Sequence, residues 1–320
     1  MKFNTIILAA GKGTRLKTTS SKVIIPLIDK PIILHLLDNI SSIISLKDTY
    51  LVVGYQADEV KEVVSTKYPD TMFAMQTEQL GTGHAVMQVQ PLINKWDQTT
   101  LIIAGDVPLV SSSLIEDFYS SHIRNKSDIS VLTTDIADPT SYGRIVRNGS
   151  FNAISKIVEE KDASAKEKEL TEINSGIYFV NTQLLFELLK KITPNNKQNE
   201  YYLTDIIKIA CAENKIITPF LFKNSDLLRG INNRKDLTEC AHIIYSNTIS
   251  KHQDNGVTIL SPETTFIGMD VKIGSDTIIE PNVVIKGKSI IAEKTMIQSF
   301  SYLTNYTSKL GEIIPPHFQN

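Results

Sequence analysis

A loop rich in glycine and cations follows the first apolar run of the chain. Residues 8 to 22 read LAAGKGTRLKTTSSK. Cations beside flexible backbone suit a bound phosphate chain. Two phosphate loops are excluded by spacing. A P-loop needs G-x-x-x-x-G-K-[ST], yet Gly11 and Gly13 are two apart with Lys12 between them. A dinucleotide fingerprint needs G-x-G-x-x-G, and Leu16 stands where its third glycine belongs. The stretch is an anion loop of another kind, or a tight turn carrying solvated cations.

Further candidates lie downstream. QTEQLGTGHAVMQ, residues 76 to 88, places Gly81-Thr82-Gly83 ahead of a helical pattern. A helix start offers free N–H groups. Gln76 carries an amide donor and acceptor side by side, as reading a pyrimidine edge requires. His84, in the first turn, reads as a packed or capped ring rather than a catalytic one. LIIAGDVPL ends a buried strand with Asp106 on a turn. A lone carboxylate there suits Mg²⁺, which takes one or two protein oxygens and fills its octahedron with water and phosphate. The bland alternative is an aspartate that stabilises the turn. Gly143, Glu159 and Asn174 offer an N–H, a carboxylate and an amide for sugar hydroxyls. Asn232 and Asn233, in GINNRKDL, offer an amide oxygen as a second metal ligand.

These residues need a scaffold. Strand signals at 5–10, 50–53, 100–104 and 129–134 alternate with helical patterns at 31–44, 58–67 and 112–122. That order predicts an α/β fold, a doubly wound and mostly parallel sheet with ligands at the strands' C-terminal ends. A hairpin is expected over 144–157 around Asn148-Gly149, a type I′ turn signal. A strand at 177–180, a helix after Asn181 and another within 202–214 complete a first domain, 1–233. A helical linker follows over 234–252.

After Gly256 the period changes. Ile267, Ile273, Ile279, Ile285, Ile291, Ile297 and Leu303 recur every six residues. Two places before each stands a small or β-branched residue, from Thr265 to Ser301. Period six is the signature of a parallel β-helix, expected over 253–308 with a tail at 309–320.

Composition narrows the function classes. The 320 residues carry 42% hydrophobic side chains and a net charge of −2. That balance argues against a nucleic-acid-binding surface. No apolar run approaches the ~18 residues of a membrane span, and the start lacks a signal-peptide pattern. Cys211 and Cys240 read as buried thiols. A cytoplasmic enzyme is expected.

The motifs LAAGKGTR, EQLGTGHA, GDVPL, YGRIV, EINSGIY, EYYLTDI and GINNR occur here in one order. In that order and approximate spacing the chain resembles the bacterial bifunctional N-acetylglucosamine-1-phosphate uridyltransferase/glucosamine-1-phosphate acetyltransferase family. The likeness covers residues 3–250 closely and the hexapeptide region in kind. It implies a nucleotidyltransferase domain followed by a short left-handed β-helix. Leu8, Ala9, Ala10, Gly11, Ala104 and Gly105 would lie against the nucleotide, and Gln76, Gly81 and Thr82 would read uracil. Arg15 and Lys22 would neutralise the phosphates. Asp106 and Asn232 would hold Mg²⁺. Gly143, Glu159, Asn174 and Asn232 would line the sugar side. Ser20-Ser21 stands where the family has Leu-Pro, and Ala104 where an aromatic is common.

The reaction implied is attack by a sugar-1-phosphate oxygen on the α-phosphorus of UTP. It expels pyrophosphate and yields UDP-N-acetylglucosamine. Rivals are another acceptor, such as glucose 1-phosphate, and a non-catalytic sugar-nucleotide-binding subunit. The family's acetyl-transfer site lies in later coils. The period-six pattern here stops near Leu303, so uridylyl transfer alone is expected. A homotrimer through the β-helix is a further expectation.

Overall fold

The computed structural model describes residues 1–148 and 153–320. It divides into two compact units, residues 1–25 with 31–232, and residues 26–30 with 233–320. Along the chain come β1 (Phe3–Ala9), β2 (Pro26–Leu27), β3 (Lys30–Pro31), α1 (Ile32–Ser41), β4 (Thr49–Val53), α2 (Ala57–Lys67), β5 (Met72–Met75) and α3 (Thr82–Met87). Then follow β6 (Thr99–Ala104), α4 (Ser112–Arg124), β7 (Ile129–Asp135), β8 (Arg144–Arg147), β9 (Ile154–Val158), α5 (Ala165–Lys168), β10 (Glu172–Asn181), α6 (Thr182–Leu189), α7 (Asp205–Ala212) and β11 (Ile217–Leu221).

The first unit is an α/β domain on one sheet, ordered β11-β7-β10-β6-β1-β4-β5. All neighbours on this path run parallel except β10, which is antiparallel to β6 and β7. The central strands are apolar without alternation because both faces are covered. Ile6, Tyr50 and Ile102 enter one buried cluster, and their neighbours Ile7, Leu51 and Ile103 enter the other. β1 has β4 on one side and β6 on the other. The connections therefore diverge at its C-terminal end, where an open α/β sheet takes its ligand.

Several expected elements change extent. α1 stops at Ser41, short of Ile44. β10 runs ten residues, with an irregularity between Asn174 and Tyr178 where Gly176 has φ +77. β8 and β9 pair antiparallel as a hairpin should. The turn expected at Asn148-Gly149 falls partly outside the described residues. β11 was not anticipated, because Pro219 sits inside it. As an edge strand it can lose one N–H donor.

His122 is buried in α4, with Nδ1 2.9 Å from the Ser130 hydroxyl. Burial pushes its pKa down to about 4, against a weaker upward pull from Asp128. The unfolded chain therefore takes up a proton below pH ~6.5 that the folded chain refuses until about pH 4. Stability should fall as pH drops through that window, by about 3 kcal/mol from this group. Urea titrations from pH 7 to 4 should show a smaller loss for His122→Leu than for wild type. Equal losses would remove the residue from the acid response.

The second unit opens with α8 (Arg234–Asp254). The Asn233 side chain accepts from the Asp236 N–H at 3.0 Å, and the Asp236 carboxylate accepts from the Asn233 N–H at 3.1 Å. This reciprocal capping box sets the helix start. Next come β12 (Thr258–Ile259), β13 (Phe266–Ile267), β14 (Lys272–Ile273), β15 (Ile278–Ile279) and β16 (Val284–Lys286). β17 (Ile290–Ile291), β18 (Met296–Ile297), β19 (Tyr302–Thr304) and β20 (Ile313–Ile314) end the series.

These strands stack in three parallel ladders, β12-β15-β18-β20, β13-β16-β19 and β14-β17. Ile267 pairs with Ile285 and Ile279 with Ile297, three periods of six along the chain. The period-six isoleucines bury together. The small residues two places before them are buried too, and three of their hydroxyls are satisfied within the same turn. Ser289, Thr295 and Ser301 donate to the carbonyls of Lys286, Ala292 and Gln298 at 2.7–2.8 Å.

The tail expected at 309–320 is instead part of the stack. β20 pairs with β18 through Ile297 and Ile314. That partner is one residue closer in sequence than on the other rungs, so the period is broken where the structure continues. Pro315 and Pro316 follow β20 and take no donor away from it.

Candidate active site

The glycine-rich loop after β1 divides its tasks. Gly13 has φ +60, and a Cβ there would come within 2.6 Å of the Lys22 Cβ. A glycine is needed for the Lys22 stem to pass. The carboxylate of Asp106, just past β6, forms an ion pair with the Lys22 ammonium. The Asn232 Oδ1 accepts from Lys22 Nζ at 3.2 Å and from Arg15 Nη2 at 3.0 Å. The backbone N–H of Ile231 donates to the Asp106 carbonyl at 2.9 Å, which ties the Asn232 segment to the end of β6. Lys22, Asp106, Asn232 and Arg15 thus meet at one point. Asn233, the other candidate of the pair, caps α8 instead.

Leu8 and Ala104 are paired across β1 and β6. The Gly105 N–H donates to the Leu8 carbonyl at 2.8 Å. Ala9 and Ala10 are buried, whereas Gly11 is exposed, and a Cβ on it would meet nothing within 4 Å. Leu8, Ala10, Gly11, Gln76, Gly81 and Thr82 line a cleft of about 260 Å³. Gln79 and Glu200 line it as well. Gln79 Nε2 donates to the Ala10 carbonyl at 2.8 Å and closes one wall.

The second glycine loop is clamped by residues 201–203. Tyr201 N–H donates to the Leu80 carbonyl at 2.7 Å, and Gly83 N–H to the Tyr201 carbonyl at 2.8 Å. The Leu203 N–H donates to Thr82 Oγ1 at 3.1 Å. The expectation of free N–H groups at this helix start is therefore corrected in part: Gly83 spends its donor on Tyr201. Gln76 is buried at the floor, and its Nε2 contacts the Gly81 carbonyl and the His84 ring.

Gly143, Glu159 and Asn174 also come together. A Cβ on Gly143 would lie 3.6 Å from both the Asn174 Cβ and Glu159 Oε1. The Asn174 N–H donates to the Gly143 carbonyl at 2.9 Å. Thr204 Oγ1 donates to Glu159 Oε1 at 3.0 Å. Burial raises the Glu159 pKa, and that hydrogen bond opposes the rise. Sequence reasoning missed Thr204, which lies in the quoted EYYLTDI motif, and Gln79.

The departures have local accounts. Ser21 is fully buried, and its hydroxyl has no hydrogen-bond partner among the described residues. Its backbone, at φ −58 and ψ 137, is one that proline adopts. Ala104 is half-buried at the end of β6. Cys211 and Cys240 are free thiols. No helix among the described residues is long and apolar enough to cross a membrane.

The family profile described as nucleotidyl transferase matches residues 4–229. The chain belongs to the nucleotidyl transferase family. Among curated relatives, the bifunctional protein GlmU of Levilactobacillus brevis is 42% identical over 302 residues. That alignment covers 94% of this chain and 65% of the relative. The Listeria welshimeri GlmU is 38% identical over 98% of this chain and 67% of its own length. The Geobacillus thermodenitrificans GlmU is 41% identical over 94% of this chain and 64% of its own length. The chain thus spans about two thirds of these relatives.

Solved structures match the fold of the nucleotidyl transferase unit. A UDP-glucose pyrophosphorylase complexed with UDP-glucose superposes with TM-score 0.59 at 20% identity, over 77% of this chain and all of the other. A putative glucose-1-phosphate thymidylyltransferase from Bacillus anthracis gives TM-score 0.60 at 19% identity, over 76% of this chain and 95% of the other. The enzyme class is that of a nucleotidyltransferase.

Proposed function

We propose that this chain transfers the uridylyl group of UTP to N-acetylglucosamine 1-phosphate, giving UDP-N-acetylglucosamine and pyrophosphate. One observation carries the reading. Asp106 and Asn232 aim a carboxylate and an amide oxygen at one cation position, taken up by the Lys22 ammonium. Such a donor pair fits Mg²⁺, which needs few protein oxygens when phosphate and water supply the rest. No cluster of three or more His, Cys, Asp or Glu among the described residues offers an all-protein cage. Asp106 and Asn232 would hold the ion, which when bound would neutralise charge on the triphosphate.

The chain's own residues do the remainder. The acceptor phosphate needs no general base, because a phosphate monoester with second pKa near ~6 is largely dianionic at neutral pH. The difficulty is to bring two anions together. Lys22 and Arg15 supply positive charge beside the loop that would carry the triphosphate. The cleft between Leu8 and Gly81 takes the nucleoside, with Gln76 at the base edge. The cup of Gly143, Glu159 and Asn174 takes the sugar. In the second unit, the three ladders read as a parallel β-helix, left-handed by its likeness to the family. Assembly as a homotrimer through it and a cytoplasmic setting belong to the same proposal. Acetyl transfer is assigned no residues in this chain.

Pyrophosphate release should be measured with UTP, Mg²⁺ and a panel of sugar 1-phosphates. N-acetylglucosamine 1-phosphate should give the highest kcat/KM. Preference for glucose 1-phosphate would overturn the sugar assignment, and no release with any sugar would favour a binding subunit. Incubation with glucosamine 1-phosphate and acetyl-CoA should release no CoA thiol above background. Release at a rate comparable to uridylyl transfer would reverse that part.

A further inference from the structure

We infer that His84 is a positioning residue for base choice, holding the Gln76 amide so that its oxygen faces the pyrimidine. The inference rests on the uridylyl-transfer reading and deepens it. Gln76 is 4% exposed, at the floor of the cleft. Its Nε2 donates to the Gly81 carbonyl at 3.1 Å and lies 3.2 Å from His84 Nδ1. Those two contacts use both amide hydrogens. Oε1 is the group left over, and it can only accept.

The bases differ at the matching place. Uracil N3 carries a hydrogen and donates, whereas cytosine N3 is a bare acceptor. An amide free to turn over would suit either base by exchanging its oxygen and nitrogen. Discrimination needs an amide that cannot turn. The Gly81 carbonyl supplies one acceptor that never donates. His84 supplies the second, provided that its proton sits on Nε2.

The surroundings favour that tautomer. A neutral imidazole has one accepting nitrogen. The other ring nitrogen, Nε2, lies 3.1 Å from the Gln88 amide nitrogen. Both amides cannot donate to the ring. Gln88 lies one helical turn on, in a less buried position, and also reaches the His84 carbonyl at 3.1 Å. Being only half-buried, it can swing off that carbonyl and present its own oxygen to an Nε2–H. Gln76 is the more constrained of the two, because in the buried floor its turned oxygen would stay against the Gly81 carbonyl. The buried amide therefore claims Nδ1, and the ring proton goes to Nε2.

The test compares kcat/KM for UTP and CTP in wild type, His84→Leu and His84→Asn. His84→Leu removes the acceptor, and the UTP-to-CTP ratio should fall about tenfold, the scale of one hydrogen-bond mismatch. His84→Asn can place its amide oxygen near the Nδ1 position and should restore most of the ratio. A merely structural role would lower both substrates together. An unchanged ratio in folded His84→Leu overturns the inference. A second measurement needs no variant. Long-range ¹⁵N–¹H spectra of the free wild-type protein should show His84 protonated at Nε2, and protonation at Nδ1 would overturn the inference. A wild-type chain that releases no pyrophosphate from UTP overturns the functional reading instead, whatever the tautomer.

Discussion

Asp106→Asn should lower the turnover of uridylyl transfer by about 10²–10³-fold, the range seen when one preorganised electrostatic stabiliser is removed. The substitution keeps the shape of the side chain. The Ile231 N–H still donates to the backbone carbonyl of residue 106, so the link to the Asn232 segment survives. The charge is lost. Asp106 is the carboxylate that faces Lys22 and Asn232, and the amide that replaces it competes poorly for a divalent cation. Lys22 would lose its ion-pair partner, and the variant should need far more Mg²⁺ for half-maximal rate. Circular dichroism should be unchanged. Near-wild-type turnover at limiting Mg²⁺ would show that the metal sits elsewhere.

Gly81→Ala should raise the KM for UTP about a hundredfold with a smaller effect on kcat. The backbone of Gly81 has φ +109, where a side chain is strained at ~1–3 kcal/mol. The added Cβ would also lie 2.6 Å from the Tyr201 carbonyl and 2.9 Å from its nitrogen. Both are backbone atoms, fixed by the hydrogen bonds that join residues 80–83 to 201–203. The two strips must part, and the floor of the nucleoside cleft moves with them. Isothermal titration with UTP would detect the change directly. Unchanged affinity in a folded variant would place the base somewhere other than this cleft.

The chemistry was more legible in the sequence than its supports. Gly13 and Asp106 announce themselves because glycines in loops and a carboxylate at a strand end are local signals, whereas the role of Lys22 and the choice of Asn232 over Asn233 rest on the family resemblance. Their convergence is not local. Residues 22 and 232 meet only through the order of strands in a sheet, and alternation of strand and helix patterns implies a parallel sheet without fixing that order. β11 escaped because Pro219 disguised an edge strand. The last rung of the second unit escaped because a repeat one residue short breaks a strict period without breaking the ladder. His84 is packed against its neighbours, as its helix position suggests, but the contact that matters is not local. Its partner Gln76 lies eight residues away, across a turn that no periodicity describes.

One feature of the chain path bears on how the molecule is made. Residues 26–30 belong with residues 233–320, although about two hundred residues separate them. Leu27 is 1% exposed in the finished protein. On a ribosome adding ~5–20 residues per second, that short segment would wait roughly 10–40 s for its partners to appear. During that interval Leu27 would be available to chaperones. Synonymous changes that alter elongation speed between codons 30 and 233 are thus a route to changing the yield of native protein without changing one residue of it.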